Sequence, residues 1–289
     1  MNNYLKLYLL CMSILYLSAC SMGQVTTRAS MPLIEGGVTA LYQETDIELA
    51  RDAIPSNISL IEGMLINDPG NQALRIYAAQ AYYAYAFAFL EDTDPQRAVN
   101  LYERCFNHAK LILLDQGLTD AQMQGSLDEL EAAVNKLGNN SVPALFWSSS
   151  CWARGIDLNR DNADKLADLP RAVTFMQRVH ELDEHYYLSG PNIFFGVYYG
   201  SRSPMLGGNF ELSEAYFEKA NAYNNNKLLI VDLYRAQYLE RQRYDQQAFH
   251  SLLENIINAD DKLYPEQALV NQVAKQKATL LLEKEDQWF

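Results

Sequence analysis

The sequence predicts an all-α fold in which degenerate helical-hairpin repeats form a compact superhelix. From Leu41 onward nearly every segment carries apolar residues at helical spacing, and convincing strand alternation is absent. Three segments also share one pattern, in which a small residue is followed by a large residue at i+4 and a small-to-medium residue at i+7. A generic helical bundle with coincidental spacing is the alternative. The three segments are Ala98-x3-Tyr102-x2-Cys105, Ala172-x3-Met176-x2-Val179 and Ser213-x3-Phe217-x2-Ala220.

The N-terminal segment, residues 1–19, has the composition of a secretory signal peptide. Lys6 precedes an apolar run of about ten residues, which is too short for a membrane-spanning helix. The run ends in Leu17-Ser18-Ala19-Cys20, which resembles the lipobox of bacterial lipoproteins. That resemblance implies cleavage before Cys20 and lipidation of this residue, and several acyl chains would anchor the protein durably. We therefore expect a lipid-anchored periplasmic protein, and Ser21 indicates the outer membrane. An ordinary secreted protein with a chance cysteine is the alternative.

Residues 20–40 are expected to be the lipidated cysteine followed by a flexible tether. This stretch contains Gly23, Pro32, Gly36 and Gly37, and it shows no apolar periodicity. The helical domain is then expected to span residues 41–289.

Within that domain the apolar stripes predict a succession of helices. Asp68-Pro69-Gly70-Asn71 is a predicted turn. Asp94-Pro95 is a predicted helix start, with Asp as the N-cap and Pro in the first helical position. The successive stripes run from Ile47 to Leu65, Leu74 to Phe89, Ala98 to Cys105, Met123 to Leu137 and Leu145 to Ile156.

The spacing shared by three segments resembles the second helix of a tetratricopeptide repeat, in which the small residue lets the paired helix approach closely. Pro170 and Asn209 mark the starts of the last two such helices, and Asn192 to Tyr199 would be a partner helix. The starts are irregularly spaced, so the repeats are degenerate and contain insertions. Three or more stacked pairs would bury a continuous core and leave a concave inner face.

The charge balance excludes two classes of partner. The formal net charge is −13 at pH 7. An acidic protein gains no net attraction to phosphate, so neither nucleic acid nor an anionic lipid surface is a predicted partner.

Two cysteines, Cys105 and Cys151, lie in the predicted helical domain. In an oxidising periplasm they could form a disulfide, or they could be two small buried apolar residues. Because both lie inside helical patterns, burial without pairing is the favoured interpretation.

A glycine-rich segment over residues 185–220 interrupts the helical pattern. A Gly-Pro pair provides a break and a helix start, and two glycines four positions apart allow close contact on one helix face. A double glycine then permits a positive φ before Asn209 caps the next helix. The favoured interpretation is a tight turn between repeats, and the alternative is a segment that shapes a binding channel. The residues of this motif are Gly190, Pro191, Gly196, Gly200, Pro204, Gly207 and Gly208.

The aromatic residues are candidates for the wall of a ligand channel. The chain has 19 tyrosines, against 11 phenylalanines and 3 tryptophans. Tyrosine combines a flat apolar body with one hydroxyl, which suits a wall that grips an amphipathic solute. For any single ring, core packing is the commoner role. The channel candidates are Tyr82, Tyr85, Trp147, Trp152, Phe194, Tyr198 and Tyr199.

Two arginines, Arg154 and Arg202, are candidates to bind an acidic group of a ligand. A guanidinium grips a carboxylate through two parallel hydrogen bonds, which makes arginine suited to this task. A surface or capping role is the alternative for each of them.

No catalytic, cofactor or metal site is predicted. His180 and His185 lie about 140° apart on a helix that turns by about 100° per residue, so they share no face for a zinc ion. The chain has no Gly-x-Ser-x-Gly nucleophile elbow and no glycine-rich phosphate loop with a lysine. The protein is therefore interpreted as non-enzymatic.

Several motifs together resemble the TatT family, lipoproteins associated with tripartite ATP-independent periplasmic (TRAP) transporters. The resemblance covers about residues 40–260 and depends most on the glycine-rich segment and the lipobox. Its motifs are Gly190-Pro-Asn-Ile-Phe-Phe-Gly-Val-Tyr-Tyr, Ser203-Pro-Met-Leu-Gly-Gly-Asn-Phe, Asp68-Pro69-x-Asn71 and the aromatic helix Tyr77 to Phe89 with Glu91-Asp92.

The resemblance implies a tetratricopeptide-like domain that assembles as a homotrimer, with a pore-like apolar and aromatic cavity in each protomer. The implied partner is a periplasmic solute-binding protein, which docks so that a small apolar or organic-acid ligand is held or passed between the two. This chain departs from the family in being rich in Tyr and Asn, as over Asn221 to Asn226, so the ligand itself does not carry over. The alternative function is a tetratricopeptide scaffold lipoprotein that binds peptides or envelope-assembly proteins.

Overall fold

Helices supply the regular structure of residues 22–289, the part of the chain that the computed structural model describes, and no strand occurs there. The all-α prediction is therefore confirmed. The predicted signal segment, with Cys20 and its lipobox, lies outside the described residues. The helices are α1 (Met22–Ala29), α2 (Met31–Tyr42), α3 (Ile47–Asn67), α4 (Gln72–Tyr85), α5 (Pro95–Asp115), α6 (Asp120–Gln124), α7 (Leu127–Val134), α8 (Val142–Asp157), α9 (Ala163–Ala167), α10 (Leu169–Leu182), α11 (Tyr186–Gly200), α12 (Phe210–Tyr223), α13 (Leu229–Tyr234), α14 (Arg241–Arg243), α15 (Gln246–Ile257), α16 (Ala268–Leu282) and α17 (Glu285–Trp288).

Two segments wind as π-helix within longer helices. Ala86–Leu90 continues α4, and Arg235–Glu240 joins α13 to α14. A π-segment inserts an extra residue into the turn and so changes which side chains share a face; such segments are frequent at functional sites.

The long helices pack in pairs that lie close together along the chain. Helix α4 packs on α5, α8 on α10, α11 on α12, and α15 on α16. Neighbouring pairs also contact each other, most extensively where α5 lies against α8. This arrangement confirms the predicted helical-hairpin repeat.

The spacing that predicted the repeat marks the tightest part of each pair. All nine residues of the three segments are at most 1% exposed. Ala98, Ala172 and Ser213 leave room for the facing helix, and the Ser213 hydroxyl donates to the Gly196 carbonyl at 2.7 Å. Full burial of a large apolar side chain such as Phe217 contributes about 1.5–3 kcal/mol.

The predicted helix starts also agree with the structure. Asp94 caps α5 by accepting a hydrogen bond from the Arg97 amide at 3.2 Å, with Pro95 as the first helical residue. Asn209 caps α12 by accepting from the Leu212 amide at 3.0 Å. Both caps satisfy amides that a helix N-terminus would otherwise leave unpaired.

Residues 22–40 are helical, so the irregular conformation expected for this stretch is wrong. They form α1 and most of α2. Proline is tolerated in the first helical turn, where Pro32 lies, and tertiary contacts offset the low helical propensity of glycine. Arg28 pairs with Asp68 at 2.9 Å, and Ile34 packs against the buried cluster around Ile61.

The structure joins Cys105 and Cys151 in a disulfide, so the favoured interpretation of two unpaired thiols is wrong. Both cysteines are buried as expected, at 0% and 1% exposure. Their pairing follows from the packing of α5 on α8, which brings the two Cα atoms to 6.0 Å, within the usual range for a disulfide.

Candidate functional site

A partly open cavity of about 800 Å³ lies between the stacked hairpins. Its volume lies within the range of about 300–1,000 Å³ typical of small-molecule sites. Most of the lining is apolar. Among the residues that line it are Tyr42, Ile54, Tyr83, Phe87, Phe146, Trp147, Arg154, Tyr187, Leu188, Ile193, Phe194, Val197, Tyr198, Arg202, Leu206, Ile230, Tyr234, Leu269 and Val273.

Four aromatic rings, which we call the aromatic wall, form one continuous side of the cavity. Tyr83 packs edge-on against Trp147 with ring centroids 5.4 Å apart, and Trp147 packs against Tyr187 at 4.8 Å. Phe146 contacts both Trp147 at 5.1 Å and Tyr187 at 5.6 Å. Each ring is held by another ring, so the wall is preformed and presents a rigid apolar surface.

The wall depends on an unusual backbone conformation at the start of α11. Tyr187, Leu188 and Ser189 have φ values of 47°, 61° and 65°, which place three consecutive non-glycine residues in the left-handed region. Each such residue costs about 1–3 kcal/mol and persists only where neighbours enforce it. Here Asn224 Nδ2 donates to the Leu188 carbonyl and Asn192 Nδ2 donates to the Ser189 hydroxyl, both at 2.9 Å. The turn directs Tyr187 and Leu188 into the cavity lining.

The motif glycines permit close approaches on either side of this turn. A Cβ atom at Gly190 would lie 2.5 Å from the Phe146 ring, and one at Gly196 would lie 2.7 Å from Phe217. At Gly200 it would lie 2.6 Å from the Ser213 hydroxyl. These positions let α11 pack tightly between the aromatic wall and α12.

The second half of the motif shapes the loop that carries Arg202. Gly207 has a φ of 85°, a value that favours glycine, and a side chain at Gly208 would collide with the Arg202 carbonyl. The buried Pro191 lies in α11, and the exposed Pro204 begins the short 3-10 helix of the loop. The segment thus contains a tight inter-repeat turn, and it also contributes residues to the cavity.

A group of charged and hydroxyl side chains, which we call the ionic cluster, closes another part of the lining. Arg154 donates to both oxygens of Glu91 at 2.5 Å, to Asp157 at 3.2 Å and to the Tyr238 hydroxyl at 2.7 Å. The Tyr102 hydroxyl donates to Glu91 at 2.5 Å. Its other members are Asp92, Arg160 and Lys277.

The two π-segments position this cluster. Glu91 directly follows the first π-segment, and Tyr238 lies within the second. Both side chains accept hydrogen bonds from Arg154, and Tyr238 also donates to Asp157 at 2.6 Å.

Two members of the cluster, Arg154 and Asp157, stay charged despite their burial, and Tyr102 stays neutral. Burial disfavours the charged guanidinium of Arg154, but Glu91 outweighs this and holds the Arg154 pKa well above its usual value. Burial likewise opposes ionisation of Asp157, but Arg154 and Arg160 hold the Asp157 pKa below its usual value. Burial, reinforced by Glu91, raises the pKa of Tyr102, so this hydroxyl stays protonated and can donate.

The geometry argues against the predicted role of Arg154 in binding a ligand carboxylate. All three of its side-chain nitrogens already donate to protein oxygens. Its guanidinium therefore belongs to the ionic cluster, although its side chain forms part of the cavity lining.

Of the other predicted channel residues, four line the cavity and four do not. The four that do are Trp147, Phe194, Tyr198 and Arg202. The remaining four contact side chains elsewhere in the fold. Tyr82 donates to Glu62 at 2.6 Å, Tyr85 packs on Phe89, Trp152 packs on Phe106, and Tyr199 stacks on Tyr216.

Several lining residues were not among the sequence candidates. They include Tyr83, Phe87, Phe146, Tyr187 and Tyr234. The crowding of aromatic residues indicated that α4 contributes to the cavity, but it did not indicate which face of α4 does so. Tyr83 and Phe87 share a face at i and i+4, whereas the predicted Tyr82 and Tyr85 lie on others.

Among residues 22–289, no group of three or more His, Cys, Asp or Glu side chains could hold a metal ion. No helix there has the length and apolar character needed to span a membrane.

Comparison with known proteins places this architecture in a family. A family model described as TAtT, TRAP transporter T-component, matches residues 43–289, which is most of the chain. No curated protein matches the chain. The matching family is a transporter component and not an enzyme family. From this match we conclude that the chain belongs to the TRAP transporter T-component family.

Proposed function

We propose that this protein is a lipid-anchored periplasmic binding or adaptor subunit of a TRAP-type transport system. It docks a periplasmic solute-binding protein and holds or passes a small apolar or organic-acid ligand through its cavity. It acts as a homotrimer that is attached through Cys20, and Ser21 favours the outer membrane as its location. It needs no cofactor and performs no catalysis.

The observation that carries the proposal is the preformed cavity in a chain of this transporter family. A volume of about 800 Å³ with an aromatic wall suits a small organic molecule better than an extended peptide. A peptide-binding scaffold would instead present an open polar groove with side chains able to clamp a main chain. The mainly apolar lining therefore favours ligand holding or transfer over the scaffold alternative.

Capture of the partner tests the proposal. The full chain, immobilised in detergent, is incubated with the periplasmic extract of its own cells, and bound proteins are identified by mass spectrometry. We expect a solute-binding protein of a TRAP transporter. Recovery of peptides or envelope-assembly proteins in its place would contradict the proposal and favour the scaffold function.

A further inference from the structure

The charged side chains that line the cavity differ in whether the protein already neutralises them. The lining contains three arginines, Arg154, Arg160 and Arg202, and one carboxylate, Asp157. These four residues decide which ligand charge the cavity can accept.

Two of the arginines belong to the ionic cluster, whose formal charges cancel. Arg154 pairs with Glu91 at 2.5 Å, and Arg160 donates to Asp157 from Nε at 2.6 Å. Lys277 pairs with Asp92 at 2.6 Å and provides the third positive charge against three carboxylates. This part of the lining therefore offers no net charge to a ligand.

Arg202 is different, because it has no ion pair with any residue in the described range 22–289. Its guanidinium carbon lies 4.0 Å from the centroid of the Tyr198 ring, which also lines the cavity. Stacking occupies a face of the guanidinium and leaves its N–H edge for a hydrogen-bond acceptor.

Backbone hydrogen bonds hold the loop that carries Arg202. The Gly208 amide donates to the Ser203 carbonyl at 3.0 Å, and the Asn209 amide donates to the Tyr199 carbonyl at 3.0 Å. With Gly208 pressed against the Arg202 carbonyl, the loop cannot swing the arginine away without breaking these bonds. Arg202 is thus a half-buried, preorganised cation beside apolar walls.

One unneutralised cation accepts one anionic group. A second negative charge on the ligand would lie against apolar rings or the neutral ionic cluster, where desolvation opposes it. A neutral ligand would leave the Arg202 donors without their charge-assisted acceptor. The size of the cavity leaves a long apolar surface for the remainder of the ligand.

We propose that the cavity binds a monoanionic amphiphile, with its single anionic head on Arg202 and its apolar body along the aromatic wall. The inference rests on the proposed function, since it names the ligand class of the same cavity.

Three ten-carbon probes test it: decanoate, which is monoanionic, decanol, which is neutral, and sebacate, which is dianionic. Their affinities are measured by titration calorimetry on the full chain carrying Cys20→Ser, which removes the proposed lipidation site so that no detergent competes for the probes. We expect decanoate to bind about tenfold or more tightly than either other probe, as one charge-assisted hydrogen-bond pair predicts.

Variants of Arg202 separate its charge from a general effect on the fold. Arg202→Gln is expected to weaken decanoate binding about tenfold and to leave decanol binding unchanged. Arg202→Lys keeps the charge and should retain the preference for decanoate. Arg97→Gln is the matched control, because Arg97 is also stacked on a tyrosine, Tyr85, but lies outside the cavity lining. Circular dichroism checks that each variant is folded.

The outcomes distinguish this inference from the proposed function. Equal binding of decanoate and decanol, tightest binding of sebacate, or an unchanged decanoate affinity in Arg202→Gln would overturn the monoanion inference while the cavity still binds ligand. Failure of all three probes to bind would overturn the monoanion inference and count against a ligand-holding function.

Discussion

At the scale of single residues, the chemistry of the cavity depends on which arginine already has a carboxylate partner. Arg154 and Glu91 are 12% and 6% exposed at their side chains, and each is the main ionic partner of the other. A buried ion pair of this kind adds little stability over a well-packed apolar pair, but removing one partner leaves an uncompensated charge.

Replacing Arg154 with Gln should therefore destabilise the fold by about 3–5 kcal/mol, because the buried Glu91 would lose its closest cation and keep only Lys277, at 3.4 Å. Urea unfolding followed by circular dichroism measures this. Arg160→Gln is the control, since the Arg160 side chain is 45% exposed and its pair with Asp157 should contribute about 0–1 kcal/mol. Equal losses of unfolding free energy in Arg154→Gln and Arg160→Gln would show that burial of the ion pair does not set its contribution to stability.

Asp157 gives the cluster a defined pH dependence. Its folded pKa lies below the unfolded value of about 3.9, so the folded state binds fewer protons and Asp157 stabilises the fold above about pH 4. That contribution is lost as the pH falls through the folded pKa.

We therefore expect the difference in unfolding free energy between the wild type and Asp157→Asn to be largest near neutral pH and to shrink below about pH 4. Urea unfolding at a series of pH values measures it. Asp128→Asn, at an exposed position of α7, is the control for the substitution itself. If the difference in unfolding free energy for Asp157→Asn stays constant or grows at acidic pH, the lowered pKa of Asp157 is refuted.

At the scale of single elements, α11 is positioned by close contacts that only glycine allows. Gly196 faces Phe217, a ring with no exposed surface, whereas nothing lies within 4 Å of a Cβ at Gly36 in α2. The same substitution should therefore have opposite effects at the two positions.

Gly196→Ala should destabilise the fold by about 1–3 kcal/mol through overpacking against Phe217. Gly36→Ala should stabilise it by about 0.5–1 kcal/mol, since alanine is the better helix former and meets no obstacle. Urea midpoints of the two variants provide the test. A neutral Gly196→Ala would show that α11 and α12 are less closely packed than the structure indicates.

The elements also show where sequence reasoning succeeds and where it stops. The i, i+4, i+7 pattern identified the buried face of α5, α10 and α12, because a regular helix repeats its face at those spacings. It could not select Tyr83 over Tyr82 on α4, because both neighbours are large aromatics and packing decides between them. The left-handed turn at Tyr187–Ser189 carries no glycine, so propensity gave no sign of it.

At the scale of the whole molecule, the stacked hairpins and their disulfide form one cavity-bearing body. The succession of hairpins was predictable because its spacing recurs along the chain, and the family was predictable because single motifs such as the glycine-rich segment are specific to it. The N-terminal helices were not predictable, because glycine and proline suggested a tether while tertiary contacts decided the conformation. The Cys105–Cys151 bond was not predictable either, since it depends on α5 lying beside α8.

The disulfide should contribute to the stability of the whole fold, because it cross-links residues 46 positions apart. The double variant Cys105→Ser/Cys151→Ser should lose about 2–4 kcal/mol of unfolding free energy. A reducing agent should lower the urea midpoint of the wild type but not that of the variant, and peptide mapping without reductant should yield the linked pair. An unchanged wild-type midpoint on reduction would contradict the bond.

The central claim is that the cavity holds a small molecule, and native mass spectrometry of the full chain isolated from its own cells tests it most directly. The variant Ala153→Trp fills the lining, and Ala132→Trp places the same side chain on an exposed helix surface outside it. We predict that the wild type and Ala132→Trp carry a bound small molecule, and that folded Ala153→Trp lacks it. The claim would be contradicted if folded Ala153→Trp still carried the bound molecule, or if the wild type carried none.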